Sequence, residues 1–255
     1  MRTSFLTAII FILLAACNKN DLPLNNGKPL QKAVNTWKDS IYYAIFKYDQ
    51  EDQLVEIIDS NNNNRVYNSI TSLGYNNEGK LTEYRFRNGL GHSPDVSFAY
   101  DLHGRVTKKI VSGNIVPKTT HVYTYDIKGS LIAVTMFSSS QPAIYGYSLY
   151  TYDMNDNVVE WNKFIYNSGI VEAHYTYYFT YDNKPNSYST TGRNTYFIRG
   201  EGPELLSKNN VTQIKWNGVQ INYTYEYYDS GLPRKVCTVQ ADPRATPSCT
   251  EFFFD

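Results

Sequence analysis

The chain of 255 residues has no long hydrophobic run, little sulfur and no surplus of charge, and each shortage excludes a class of protein. Its main apolar stretch, Phe5 to Leu14, is about half of the ~20 residues that a membrane-spanning helix requires, so no transmembrane helix is expected. Lys and Arg total 24 against 24 Asp and Glu, with the two signs interspersed. No basic stripe exists to hold a phosphate backbone, and nucleic acid is not an expected partner. The four histidines, His92, His103, His121 and His174, are scattered, and none stands in a metal or nucleophile motif. The run Asp153-Met154-Asn155-Asp156-Asn157 begins like a calcium loop, but Val158 stands where that loop needs Gly and Phe164 where it needs Glu. It therefore reads as a turn. Carboxylates such as Asp153 and Glu160 would serve a hydrolase only if the fold brought them within ~5 to 10 Å, so an enzyme is unsupported and no cofactor is expected.

What is abundant is aromatic: 24 Tyr, 12 Phe and 3 Trp. Mean hydropathy is nonetheless negative, at −0.46. Rings with a polar tip suit half-buried strands, and they recur with a period. Tyr48, Tyr75, Tyr100, Tyr125, Tyr152, Tyr181 and Tyr228 are each followed by Asp or Asn, the first five intervals being 27, 25, 25, 27 and 29 residues. The acid or amide can accept backbone N–H groups within a turn, and Gly79, Gly104, Gly129 and Gly231 supply the positive φ such a turn demands. Alternating runs such as Lys80-Leu81-Thr82-Glu83-Tyr84 follow. Each period thus holds two strands and two connections, which predicts an all-β fold: a large antiparallel meander of repeated hairpins, about fourteen strands in all. Such a sheet must curl, close or split, and a curved or barrel-like form is favoured. The more polar second connections, such as Ser138 to Pro142, are expected at one end. A transmembrane barrel is the rival, disfavoured because polar residues occur on both faces of the strands. The 47 residues between Tyr181 and Tyr228 break the rhythm and read as a degenerate unit with an inserted loop.

The first residues are set aside from the fold. Arg2, the apolar run and Ala15-Ala16 form a secretory signal over 1–16. Leu14-Ala15-Ala16-Cys17 resembles the lipobox of bacterial lipoproteins, which implies cleavage before Cys17 and its lipidation. Several acyl chains would make that anchor stable. Residues 17–35 then read as the lipidated Cys and a flexible tether, with one or two helical turns at most over 31–38. A single repeat-built β domain is placed over 36–255. Asn18 lacks the Asp that in such lipoproteins commonly marks inner-membrane retention, so the outer membrane is expected, with its surface and periplasmic faces both open. The two remaining cysteines, Cys237 and Cys249, form an even pair in an exported chain and are expected to make a disulfide across the last hairpin.

The copies Tyr123-Thr124-Tyr125-Asp126-x-x-Gly129 and Tyr100-Asp101-x-x-Gly104 resemble the YD repeats of Rhs-type proteins. With lipobox and tether, the chain resembles Bacteroidetes outer-membrane lipoproteins of unknown function with a porin-like antiparallel β fold. That resemblance implies fold and envelope location and carries over no catalytic or binding residue. The function expected is therefore non-enzymatic: an envelope lipoprotein presenting a β scaffold to a glycan or to another envelope protein. A structural or assembly role in the outer membrane is the alternative. Rings and amides around Trp161, Asn162, Tyr166 and Asn167 are the residues that suggest a sugar, although strand packing and turns account for such residues more often.

Overall fold

The computed structural model describes residues 29–63, 68–91, 94–113, 117–190, 194–199, 202–240 and 247–254. The signal, Cys17 and the tether as far as residue 28 lie outside the described residues. Sixteen strands follow one another. They are β1 (Leu30–Trp37), β2 (Ser40–Tyr48), β3 (Leu54–Asn61), β4 (Ser69–Tyr75), β5 (Leu81–Asn88), β6 (Asp95–Tyr100), β7 (Val106–Ser112) and β8 (Thr119–Tyr125). The second half comprises β9 (Leu131–Ser138), β10 (Gln141–Tyr152), β11 (Val158–Asn167), β12 (Ile170–Pro185), β13 (Asn209–Trp216), β14 (Val219–Tyr227), β15 (Pro233–Gln240) and β16 (Ser248–Phe254). Every strand pairs antiparallel with its sequence neighbours, and β16 pairs with β1, so the meander closes into a barrel.

The seven repeats make β2 to β15. Closure comes from β1 and β16, and here the sequence reading needs correction: residues 30–37 are a strand, not tether or helical turn, Lys38 begins the turn after it, and the β wall takes in the chain from Leu30 rather than from 36. An isolated helix of that length is marginal, whereas as a strand the segment pairs on both sides, Ala33 with Ala44 of β2 and with Phe252 of β16.

The repeat has a physical meaning visible in its hydrogen bonds. Asp126 Oδ1 accepts the N–H groups of Lys128 and Ser130, at 2.9 and 2.8 Å. Asp49, Asn76, Asp101 and Asp153 accept the matching pair of amides in their own turns. The calcium-like run at Asp153 is thus a turn. In the first five copies the fourth residue after the tyrosine is left-handed: glycine in the second, third and fourth, but Asp52 at φ 59° and Asp156 at φ 63° in the first and fifth. The tyrosine itself is a staple. Tyr125 Oη donates to the carbonyl of Val106 at 2.7 Å, tying the end of β8 to the start of β7, and Tyr48, Tyr75, Tyr100, Tyr152 and Tyr181 do the same to Leu30, Leu54, Leu81, Leu131 and Val158. Asp126→Ala is expected to cost about 1–2 kcal/mol, since two turn amides lose their acceptor; urea denaturation measures it.

The last copy is shifted by one from the sequence reading. Tyr227 pairs with Pro233 as Tyr125 pairs with Leu131, so Tyr227 rather than Tyr228 holds the tyrosine position and Tyr228 the acid position. The Tyr228 N–H still closes the turn on Leu232, and Gly231 keeps its left-handed place at φ 85°.

Strand alternation gives the wall two different faces. Phe46, Ile57, Val96, Tyr123, Val134, Tyr150 and Phe252 share the inner face and are buried. The opposite face carries ion pairs around the barrel: Lys47 with Glu56, Arg85 with Glu83 and Asp95, Arg234 with Glu226, and Lys235 with Glu251. Apolar residues on that face are interspersed rather than gathered in a band, Ile70 lying opposite Arg87 and Phe253 opposite Lys32. A lipid-facing barrel needs a continuous apolar belt, and each Lys or Arg at mid-membrane costs about 2–4 kcal/mol. Among the described residues this outer wall mixes charged and apolar side chains without such a belt.

Candidate functional site

The rhythm breaks at the sixth copy because its turn has been opened. Tyr181 pairs with Val211, whereas in an ordinary copy Tyr125 pairs with Leu131. Asp182 begins the usual turn by accepting the Lys184 N–H at 2.9 Å. Pro185 then occupies the place of the left-handed residue, which its ring cannot adopt, and the chain leaves the wall. It returns at Asn210, whose N–H gives Asp182 the second bond, at 3.1 Å. A buried amide network pins this neck: Asn157 and Asn209 bond reciprocally at 3.0 and 2.9 Å, and Ser207 Oγ donates to Pro203 and accepts from the Val158 N–H.

The inserted segment contains a 3-10 turn at Ser187–Thr190, a short helix α1 (Asn194–Arg199) and a second 3-10 turn at Pro203–Leu205. It touches strands far apart around the ring. Tyr188 meets Phe252 of β16 edge-on, Tyr196 Oη lies 3.0 Å from Tyr150 Oη of β10, and the Phe197 carbonyl accepts from Lys109 Nζ of β7 at 2.7 Å. Arg199 reaches Asp59 of β3 at 2.8 Å. Only a segment inside the barrel can reach all four. Tyr196 and Phe197 complete the main apolar cluster with Val106, Tyr123, Leu131, Val134, Met136, Tyr150 and Val158. The insertion is a plug.

Between the plug and the wall formed by β16, β1, β2 and β3 lies a cavity of about 300 Å³, at the small end of ligand-binding pockets. Its polar lining includes Asn35, Tyr42, Asp59, Arg199, Glu204 and Thr250. Asn35 Nδ2 is oriented by Ser248 and Thr250 on β16, at 2.9 and 2.8 Å. The Arg199 guanidinium is engaged by Asp59 and lies over the Phe46 ring. Glu204 keeps contact with solvent, but the protein packed around it partly desolvates its carboxyl and pushes it above the usual carboxylate range. Burial likewise pushes up the Tyr188 and Tyr223 hydroxyls, Glu204 adding to both.

The sign of the Glu204 shift gives a prediction. An unfolded chain releases this proton near 4.5 while the folded one holds it to higher pH. Stability is therefore lost as pH rises above about 4.5 and until the folded group ionises. Glu204→Gln is expected to raise the melting temperature at neutral pH and to leave it unchanged near pH 4, as followed by circular dichroism.

The residues singled out from sequence fare unevenly. Cys237 and Cys249 are joined, directly opposite one another on β15 and β16 with their Cα atoms 4.1 Å apart. Trp161 and Asn162 point to opposite faces of β11. Trp161 pairs inward with Tyr150 and Tyr177, while Asn162 on the outside accepts from Thr176 at 2.8 Å. Tyr166, an even number of residues from Asn162, takes the outer face, so the suggested sugar cluster is not assembled. The rings Trp161 and Tyr177 stack on each other 4.9 Å apart and serve as wall packing. Glu160 bonds to Asn162 on the outer face, while Asp153 is occupied by its turn, so neither lines the cavity. No group of three metal-ligating side chains occurs among the described residues. What the sequence reading missed is the cavity, whose members come from β1, β2, β3, β16 and the plug. Its one local signal was the broken interval after Tyr181.

Solved structures share this fold. A porin-like protein from Bacteroides uniformis matches with a TM-score of 0.64 and 10% identity, over 90% of this chain and 99% of that one. Another, from Bacteroides vulgatus, matches with a TM-score of 0.56 and 10% identity, over 89% and 99%. The fold is porin-like. No family model and no curated protein matches the sequence.

Proposed function

We propose that this protein is a non-enzymatic envelope lipoprotein, tethered to the outer membrane through Cys17, whose barrel receives a small polyhydroxylated ligand, a sugar of one or two rings, in the luminal cavity. The observation that carries the reading is the cavity itself. Amide, carboxylate, guanidinium and hydroxyl groups from Asn35, Asp59, Arg199 and Thr250 converge there beside the Tyr42 ring. Planar polar groups bond to vicinal hydroxyls, and a ring face packs on sugar C–H groups. The plug speaks against free passage through the lumen, and the charged outer wall against immersion in lipid. Both suit a lipid-tethered receptor better than a channel. The lipobox at Leu14 to Cys17 and the porin-like relatives from Bacteroides support the envelope location.

The test is a thermal-shift panel of mono- and disaccharides. A specific ligand at a hundred times its dissociation constant is expected to add ~2.7 kcal/mol of stability, and Tyr42→Ala is expected to remove that shift without lowering the ligand-free melting temperature. A panel without any shift overturns the sugar reading. A second reading, docking of another envelope protein, is favoured by the exposed Leu149, Ile170, Val171 and Tyr178 on β10 to β12. Substituting Tyr178 by Lys and assaying co-purifying envelope proteins tests it.

A further inference from the structure

We infer that the ligand of the luminal cavity carries a protonated amine, with the Glu204 carboxylate as its counter-ion. The inference rests on the reading of the cavity as a ligand site and adds the charge of what fills it. Of the charged groups lining the cavity, Asp59 and Arg199 satisfy one another at 2.8 Å. Glu204 has no ion-pair partner among the described residues. Its carboxylate folds back over Gly202 at the edge of the cavity, whose lining includes Glu204. The set therefore has one negative charge in excess.

A carboxylate on the cavity lining without a cation to pair with leaves a local negative charge, and an arriving cation forms a charge-assisted bond there. An anionic ligand would meet Glu204 without a free cation to receive it. A metal ion would need more ligands than one carboxylate, and no such cluster occurs among the described residues. An ammonium group needs only this: one carboxylate for a charge-assisted bond, with the Tyr42 and Tyr188 rings in the same lining offering faces that favour a cation. Combined with the hydroxyl-binding groups around it, the ligand class is an amino sugar.

The test is calorimetric titration of the whole protein with glucosamine, glucose and ethanolamine, repeated on Glu204→Gln. The variant is expected to keep the parent's fold, which its far-ultraviolet dichroism checks, and to melt no lower than the parent. Glucosamine is expected to bind about tenfold more tightly than glucose, the gain of a charge-assisted bond over a neutral one, and Glu204→Gln to erase that gap while leaving glucose affinity unchanged. Equal affinities for glucosamine and glucose in the parent overturn the amine inference and leave the sugar reading standing. Ethanolamine binding that is lost in Glu204→Gln, with no sugar bound, upholds the amine and overturns the sugar. Absence of binding by all three overturns both.

Discussion

Between about pH 10 and 12 the barrel is expected to unfold in one cooperative step. The staple tyrosines, with Tyr84 and with Tyr225, whose hydroxyl donates to the Val211 carbonyl at 2.9 Å, are the cause. Burial pushes the Tyr100 hydroxyl from 10.0 up to about 12, does the same to Tyr84 of the inner wall, and pushes Tyr48, Tyr181 and Tyr225 up further. Below pH 10 these groups hold their protons in both states and add no pH dependence. Above it the unfolded chain releases protons that the folded barrel keeps, and each tyrosine removes up to about 1.4 kcal/mol per pH unit, less where water reaches the ring. Five such groups acting together remove several kcal/mol per unit, against a total stability of roughly 5–15 kcal/mol. Tyrosinate absorbance and far-ultraviolet dichroism should therefore change together. A smooth tyrosinate titration near pH 10 with unchanged dichroism would show that the staples do not exist.

Tyr196→Ala is the substitution with the largest expected effect, about 3–5 kcal/mol. The ring is 1% exposed, packs edge-on against Phe197 at 5.3 Å and places its hydroxyl beside Tyr150. Its removal would leave a void where the plug meets β7 to β11. Because that cluster is shared by wall and plug, the loss should fall on the global urea transition rather than on a local loosening. Tyr196→Phe keeps the ring and is expected to cost about 1 kcal/mol. A Tyr196→Ala midpoint equal to that of the parent would mean the plug sits in the lumen without stabilising it.

The sequence made the wall legible and left the lumen dark, for physical reasons. A strand–turn–strand unit is local: Tyr125, Asp126 and Gly129 sit within five positions, and their bonds are to one another or to the adjacent hairpin. Such a unit repeats visibly. Whether the meander closes depends on β1 and β16, whose pairing joins the two ends of the chain, and β1 alone resembled tether because eight residues of mixed polarity carry no period of their own. The plug was visible only as lost rhythm. Asn157 read as part of a turn, yet with Asn186, Asn209 and Asn210 it makes the hydrogen bonds of its neck. The ion pair of Asp59 with Arg199 spans 140 positions, a distance at which sequence spacing says nothing.

The measurement that reaches the central claim most directly is flotation of the chain from residue 29 onward, free of any lipid anchor, with liposomes in detergent-free buffer. A barrel with a charged outer wall and a plugged, ligand-sized lumen should stay folded, monodisperse and in the aqueous fraction. Insertion into the liposomes, with conductance across them, would instead make it a membrane-spanning pore and contradict the assignment of its outer face to water.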